Sequence, residues 1–131
     1  MDKADRAFCF ASGMAALAAV THLVGTGQEI VAGDDFYRGS DRLLTQVAPK
    51  SGIIVKRINT SDLDEVASSA IGPWAKLVWL ESPTNPRQQI SDIRWITALC
   101  LLYCHSPWNL EQLGKGLVFP VKCRRLCISS I

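Results

Sequence analysis

The sequence has no apolar run that could cross a membrane. Its longest, Ile96–Tyr103, falls well short of the ~20 residues that a spanning helix needs. It also lacks a secretory signal, since the charged start, Met1–Arg6, has no apolar segment behind it and is too acidic for a transit peptide. We therefore expect no membrane partner and, on these residues alone, a cytoplasmic location.

Net charge is also low. A formal charge of +2 is too small to indicate nucleic-acid binding. Acidic side chains are absent from residues 114–131, and this makes that segment basic. So few charges do not by themselves indicate a partner. The basic residues of the segment are Lys115, Lys122, Arg124 and Arg125.

A disulfide framework is not expected, because the cysteine count of 5 is odd and no secretory signal is present. Two pairs of cysteines at i,i+4 spacing would each share one face of a helix, and could form disulfides or, with His105, hold a metal. Pro107 interrupts that region, so we expect reduced thiols and no metal site; a small twin-cysteine protein is the alternative. The cysteines are Cys9, Cys100, Cys104, Cys123 and Cys127.

What the sequence does contain is a regular alternation of strand and helix patterns. Apolar residues make up 48% and charged residues 20% of the 131, which is typical of one globular domain. The alternation predicts an α/β fold with a mainly parallel sheet, and it ends near Arg94. We expect residues 95–131 to be a divergent tail, poorly ordered or irregularly helical. The predicted elements are a helix over 14–23, a strand over 29–32, a helix over 39–48, a strand over 53–58, a helix over 62–70, a strand over 76–81 and a helix capped by Ser91 and Asp92.

Ala11, Ser12 and Gly13 form a small-residue turn that enters the first helix at Met14. The backbone N–H groups at a helix start have no intrahelical acceptor and lie at the positive end of the helix dipole, so they suit a phosphate. Gly13 would let an anion approach the backbone. The alternative is an ordinary serine cap.

Two further loops follow predicted strands, and ligands in open α/β sheets bind beyond the carboxyl ends of strands. Tyr37 lies in the first loop and could stack on a planar group. Asn85 lies in the second, between two prolines that stiffen the loop. The alternatives are a tyrosine that packs locally and a stiff connector.

Together and in this order, Ser12–Ala16, Asp35-x-Tyr37 and Glu81–Pro86 resemble the Cys/Met-metabolism family of pyridoxal-phosphate (PLP)-dependent enzymes, the trans-sulfuration enzymes. The flanking segments Asp2–Phe8 and Trp79–Arg87 are most similar to its plant cystathionine β-lyase branch. The resemblance covers residues 2–94. It implies a partial fold-type-I PLP-transferase major domain over residues 1–94, three-layered with a mainly parallel sheet.

The resemblance also implies roles for single residues. Backbone amides of the first turn would hold the cofactor phosphate, and Tyr37 would stack on the pyridine ring and take part in acid/base chemistry. Asn85 would hydrogen-bond the ring hydroxyl, with Glu81 in support. The implied cofactor-binding set is Ser12, Gly13, Met14, Tyr37, Glu81 and Asn85, with Tyr37 as the one catalytic residue.

The family function that the resemblance implies is a carbon–sulfur lyase of methionine biosynthesis, which cleaves cystathionine to homocysteine, pyruvate and ammonia. It implies a homo-oligomer, an amino-acid substrate and, for the intact plant enzyme, a chloroplast location. The alternatives are an activity of the cystathionine γ-synthase or γ-lyase type, and a non-catalytic fragment that binds the subunits of the intact enzyme.

Four departures from the family pattern bear on activity. Arg38 stands where the family usually has glycine, and its bulk could disturb the turn. The aspartate that pairs with the pyridinium nitrogen and the Schiff-base lysine are not found in the 131 residues, and neither is the Tyr-x-Arg segment that reaches a neighbouring subunit. We therefore expect this chain alone to be catalytically incomplete.

Overall fold

A computed structural model describes residues 9–70, 74–104 and 126–127. Strands and helices alternate along the chain, as the sequence predicts. The elements are α1 (Gly13–Thr21), β1 (Glu29–Gly33), α2 (Arg38–Arg42, continued by a π-turn Leu43–Val47 and a 3-10 turn Ala48–Ser51), β2 (Ile54–Ile58), α3 (Leu63–Glu65, continued by a π-turn Val66–Ala70), β3 (Ala75–Leu80), α4 (Ile93–Cys104) and β4 (Leu126–Cys127).

The strands form one parallel sheet in the order β2-β1-β3-β4. Strand β1 is central, with Val31 opposite Lys56 on one side and Val78 on the other. Parallel neighbours need a crossover connection, and helices supply it between β1 and β2 and between β2 and β3. The carboxyl ends of β1, β2 and β3 therefore lie at one edge.

Both faces of the sheet are covered, so the core has two parts. Alternate side chains of β1 enter opposite clusters: Ile30 and Ala32 pack with α1 and α2, and Val31 packs with α4 and the turn after α3. This confirms the predicted α/β fold with helices on both faces of a parallel sheet. The first cluster is Leu17, Val24, Ile30, Ala32, Phe36, Leu43, Leu44, Ala48, Ile53, Leu77 and Trp79, and the second is Val31, Ile58, Val66, Leu80, Ile96 and Cys100.

Helix boundaries follow the capping signals of the sequence. Asp62 caps α3 by accepting hydrogen bonds from the Asp64 and Glu65 amides, and Asp92 caps α4 by accepting one from the Trp95 amide at 2.9 Å. Helix α4 runs without a break across residue 94, so the domain boundary predicted there falls inside an element and stays a prediction.

The two described residues after α4, Leu126 and Cys127, form the strand β4, which the sequence pattern did not reveal. The two residues of β4 pair in parallel with Trp79 and Leu80 of β3. A strand this short has no readable period, so the sequence pattern could not reveal it. The basic residues Lys115, Lys122, Arg124 and Arg125, together with Cys123, His105 and Pro107, lie outside the described residues.

The described part of the chain holds no helix of sufficient length and apolarity to span a bilayer. In the same part, Cys9 is exposed and Cys100 is buried in the core, and the two form no disulfide with each other. No group of potential metal ligands occurs among the described residues.

Candidate cofactor site

The loops that the sequence singles out lie where parallel strands end. Asp35 and Tyr37 follow β1, and Glu81 and Asn85 follow the adjacent strand β3. Because β1 and β3 are parallel neighbours, their loops meet at one edge of the sheet.

Helix α1 begins with two backbone donors that have no acceptor among the described residues. Ser12 caps the helix: its hydroxyl accepts from the Ala15 amide at 3.2 Å and its carbonyl from the Ala16 amide at 3.1 Å. The amides of Gly13 and Met14 are left unbonded in that part of the chain. No atom lies within 4 Å of where a Cβ on Gly13 would stand. Two unbonded amides on exposed residues at a helix start, with open space beside Gly13, are the donor set that a phosphate group needs.

Tyr37 is held through its backbone, and its ring is left exposed. Its amide donates to Glu81 Oε2 at 3.0 Å, and its side chain is 49% exposed. The ring lies against Gly39: a Cβ built there would overlap Tyr37 Cε1 and would stand 2.8 Å from Met14 Sδ. Gly39 thus lets the tyrosine ring and the start of α1 approach each other, so the structure brings Met14 and Tyr37 together.

Arg38 does not disturb the turn, contrary to the sequence expectation. It is the first residue of α2, and a helical start does not require glycine. Among the described residues, the one non-glycine with a positive φ is Gln88, at 56°. Glycine matters instead at position 39, where a Cβ would meet the side chains of Tyr37 and Met14.

Glu81 and Asn85 differ in their surroundings. Glu81 is 5% exposed and accepts the Tyr37 hydrogen bond, so it supports the aromatic residue from inside the protein. Asn85 is exposed, and within the described part of the chain its side chain makes no hydrogen bond. Its amide group is therefore available to a ligand at the same edge.

A buried carboxylate that sequence reasoning missed, Asp35, links the two loops. It accepts hydrogen bonds from the Arg87 amide at 3.0 Å and from the Thr84 hydroxyl, and lies 3.4 Å from Arg87 Nε. Burial raises the pKa of Asp35, but these hydrogen bonds and the positive charge of Arg87 outweigh it, and the net pKa is below the ordinary value. Asp34 forms an ion pair with the same arginine, with 2.8 Å between Asp34 Oδ2 and Arg87 Nη2.

Arg57 at the end of β2 is a second residue that the sequence did not reveal. Its guanidinium lies 4.4 Å from the centre of the Phe36 ring, donates to Asp41 at 2.6 Å and contacts the Gly33 carbonyl at 3.4 Å. It therefore ties β2 to the loop and helix that follow β1. A lone arginine in a strand gave no sequence signal for this role.

Comparison with known proteins adds to this geometry. The family model described as Cys/Met metabolism PLP-dependent enzyme matches residues 1–102. The chain is 64% identical over 126 residues to the chloroplastic cystathionine beta-lyase of Arabidopsis thaliana, an alignment that covers 96% of the chain and 26% of that relative. It is 41% identical over 93 residues to the human cystathionine gamma-lyase, covering 71% of the chain and 23% of the relative.

A solved structure, the cystathionine gamma-lyase of Lactobacillus plantarum complexed with L-serine, superposes with a TM-score of 0.69 at 38% identity, covering 72% of the chain and 24% of that protein. The chain thus spans about a quarter of the length of the curated relatives it matches, as the 26% coverage of the Arabidopsis protein shows. The family match and the Arabidopsis alignment both continue past residue 94, to which the resemblance was traced above.

Proposed function

The chain belongs to the Cys/Met metabolism PLP-dependent enzyme family, and from this premise we propose that residues 9–104 form the phosphate-binding and ring-binding part of a carbon–sulfur lyase of the cystathionine β-lyase type. The observation that carries the proposal is the pair of unbonded amides at Gly13 and Met14 beside the exposed ring of Tyr37. The higher identity to a plant β-lyase, 64% against 41% for a γ-lyase, favours β-lyase over γ-lyase specificity.

The proposal gives each site residue a defined task. Bound PLP supplies an electron sink for charge that develops on an amino-acid substrate. The amides of Gly13 and Met14 hold the phosphate, with Ser12 keeping the helix start in place. Tyr37 covers the ring and holds a proton at its phenolic oxygen. Asn85 donates a hydrogen bond to the ring hydroxyl. Glu81 holds Tyr37 in place by accepting the hydrogen bond from its backbone amide.

For the whole protein, we propose cystathionine as substrate, with homocysteine, pyruvate and ammonia as products in methionine biosynthesis. A chloroplast location is supported by the Arabidopsis relative, which is named chloroplastic. Assembly into a homo-oligomer is part of the same proposal.

The phosphate end is tested by Gly13→Pro. Proline is favoured at the first position of a helix, and Ser12 already has the extended backbone (φ −155°, ψ 158°) that suits a residue before proline. The substitution therefore removes one N–H donor and leaves the helix intact. Because a hydrogen bond to a charged group contributes roughly 1.5–3 kcal/mol, we expect the affinity for both PLP and inorganic phosphate to fall about 10- to 100-fold.

The matched variant for this test is Asn85→Ala, which should weaken PLP binding and leave inorganic phosphate binding unchanged. Titration by tryptophan fluorescence and by calorimetry gives both affinities, and circular dichroism checks the fold. Unchanged phosphate affinity in Gly13→Pro would show that α1 does not hold the phosphate.

Gly39→Ala tests the contact between Tyr37 and α1. The added methyl group would meet the flexible ends of Tyr37 and Met14, so one side chain must move. We expect unfolding free energy to change by less than about 1 kcal/mol, as is usual for substitutions outside the core. PLP affinity should fall several-fold, and inorganic phosphate affinity should stay within about twofold. If the affinities for PLP and for inorganic phosphate fall equally, the contact between Tyr37 and α1 does not act on the pyridine ring of PLP alone.

A further inference from the structure

Two buried carboxylates join the loops of the site in opposite directions. Glu81, from the loop after β3, accepts the amide of Tyr37 in the loop after β1 at 3.0 Å. Asp35, from the loop after β1, accepts the amide of Arg87 in the loop after β3 at 3.0 Å. The loops are therefore cross-linked twice, each through a carboxylate of one and a backbone N–H of the other.

The hydrogen bonds to Asp35 fall on both sides of Asn85. Thr84, immediately before Asn85, donates its hydroxyl to Asp35, and Arg87, two residues after it, donates its amide. Thr84 also closes the loop on itself, because its hydroxyl accepts from the Gln89 amide at 2.9 Å and its amide donates to the Gln89 carbonyl at 2.9 Å. The backbone that carries Asn85 is thus fixed from both sides, while the Asn85 side chain stays exposed.

We propose that Asp35 is a positioning residue that holds Asn85 in place for the ring end of the cofactor, acting through Thr84 and Arg87. The inference rests on the proposed function, since it gives a ligand to Asn85. A carboxylate suits the task because it can accept several hydrogen bonds at once and attracts the guanidinium. Asparagine at the same position keeps the shape but has one acceptor oxygen and no charge.

The neighbouring Asp34 provides a matched control. It makes a 2.8 Å ion pair with the Arg87 side chain, at an exposed position. Exposed ion pairs contribute little to stability, so Asp34→Asn removes the same charge one residue away without touching the backbone of the second loop. A difference between Asp35→Asn and Asp34→Asn therefore reports the hydrogen bonds to the Asn85 segment rather than net charge.

The experiment has a ligand-free readout and a binding readout on the full chain. Backbone 15N relaxation should show increased motion of residues 84–88 in Asp35→Asn, with α1 unchanged, and no change in Asp34→Asn. Affinity for PLP should fall about tenfold in Asp35→Asn, as expected for loss of hydrogen bonds to a charged group, while inorganic phosphate affinity stays within about twofold. In an Asn85→Ala background, Asp35→Asn should have no further effect on PLP affinity.

The outcomes separate the two proposals. If the wild-type chain binds no PLP, the proposed function fails. The role of Asp35 is then decided by the backbone motion of residues 84–88. If that motion is the same in Asp35→Asn as in the wild type, Asp35 does not position this segment. An equal loss of PLP and phosphate affinity, or full additivity with Asn85→Ala, also overturns it. If Asp35→Asn does not fold, Asp35→Ser replaces it, since the shorter side chain no longer reaches Thr84 and Arg87 while the Thr84–Gln89 hydrogen bonds stay, and the same criteria apply.

Discussion

Replacement of Trp79 by alanine is expected to lower the free energy of unfolding by about 3–5 kcal/mol, the usual cost of deleting a large buried aromatic side chain. Trp79 is 1% exposed and is the largest fully buried side chain of the described residues. It lies on β3 opposite Ala32 of the central strand, and it packs in the cluster that joins the sheet to α1 and α2. Because small domains are stable by only about 5–15 kcal/mol, this loss removes much of the total.

The chain contains its own control for this substitution. Trp74 comes just before β3 and is 63% exposed. Trp74→Ala should therefore change stability by less than about 0.5 kcal/mol, as is usual for surface substitutions. Urea unfolding followed by circular dichroism measures both variants. If the two cost the same, the placement of β3 in the core would be wrong.

The same packing positions the site, because Trp79 is two residues before Glu81. Packing of Leu77 and Trp79 in the first cluster fixes β3. Because Glu81 directly follows this strand, its carboxylate is held where it accepts the hydrogen bond from the Tyr37 amide. A partly folded Trp79→Ala chain should therefore lose affinity for the pyridine-ring end of PLP as well as stability. Core packing therefore also positions the site, because the site residues follow the carboxyl ends of the packed parallel strands.

Sequence patterns were sufficient for the elements from α1 to α4 and for their order along the chain. β-branched runs marked β1 and β2, and capping residues such as Asp62 and Asp92 marked helix starts, because both signals are local. The motifs placed Tyr37, Glu81 and Asn85 at the correct strand ends for the same reason. The two residues of β4 gave no such signal, since the position of so short a strand is set by its neighbour.

The contacts that organise the site could not be predicted, because they join distant parts of the chain. Asp35 and Arg87 are 52 positions apart, and Tyr37 and Glu81 are 44 apart. The need for glycine at position 39 arises where the Met14 and Tyr37 side chains converge, which no local pattern records. The adjacent acids Asp34 and Asp35 were visible in the sequence, but nothing in it showed that one is buried and the other exposed.

Lysine placement leads to the second large expected effect. Enzymes of the family are expected from the resemblance to hold PLP through a lysine, and such a group must lie where the ring is bound. Among the described residues, Lys50 precedes β2, Lys56 lies within β2 and Lys76 lies near the start of β3. None of them follows the carboxyl end of a strand, where Tyr37 and Asn85 are found. Lys3, Lys115 and Lys122 lie outside the described residues.

We therefore expect the 131-residue polypeptide to bind PLP reversibly, so that dialysis removes it, and to release pyruvate from cystathionine no faster than free PLP does. A coupled lactate dehydrogenase assay measures pyruvate, and mass spectrometry after borohydride reduction detects any covalent attachment. Gly13→Pro is the control, because a reaction at the proposed site must slow when phosphate binding weakens. Pyruvate formation above the free-cofactor rate, abolished by Gly13→Pro and by one lysine substitution, would show that the chain supplies its own lysine after all.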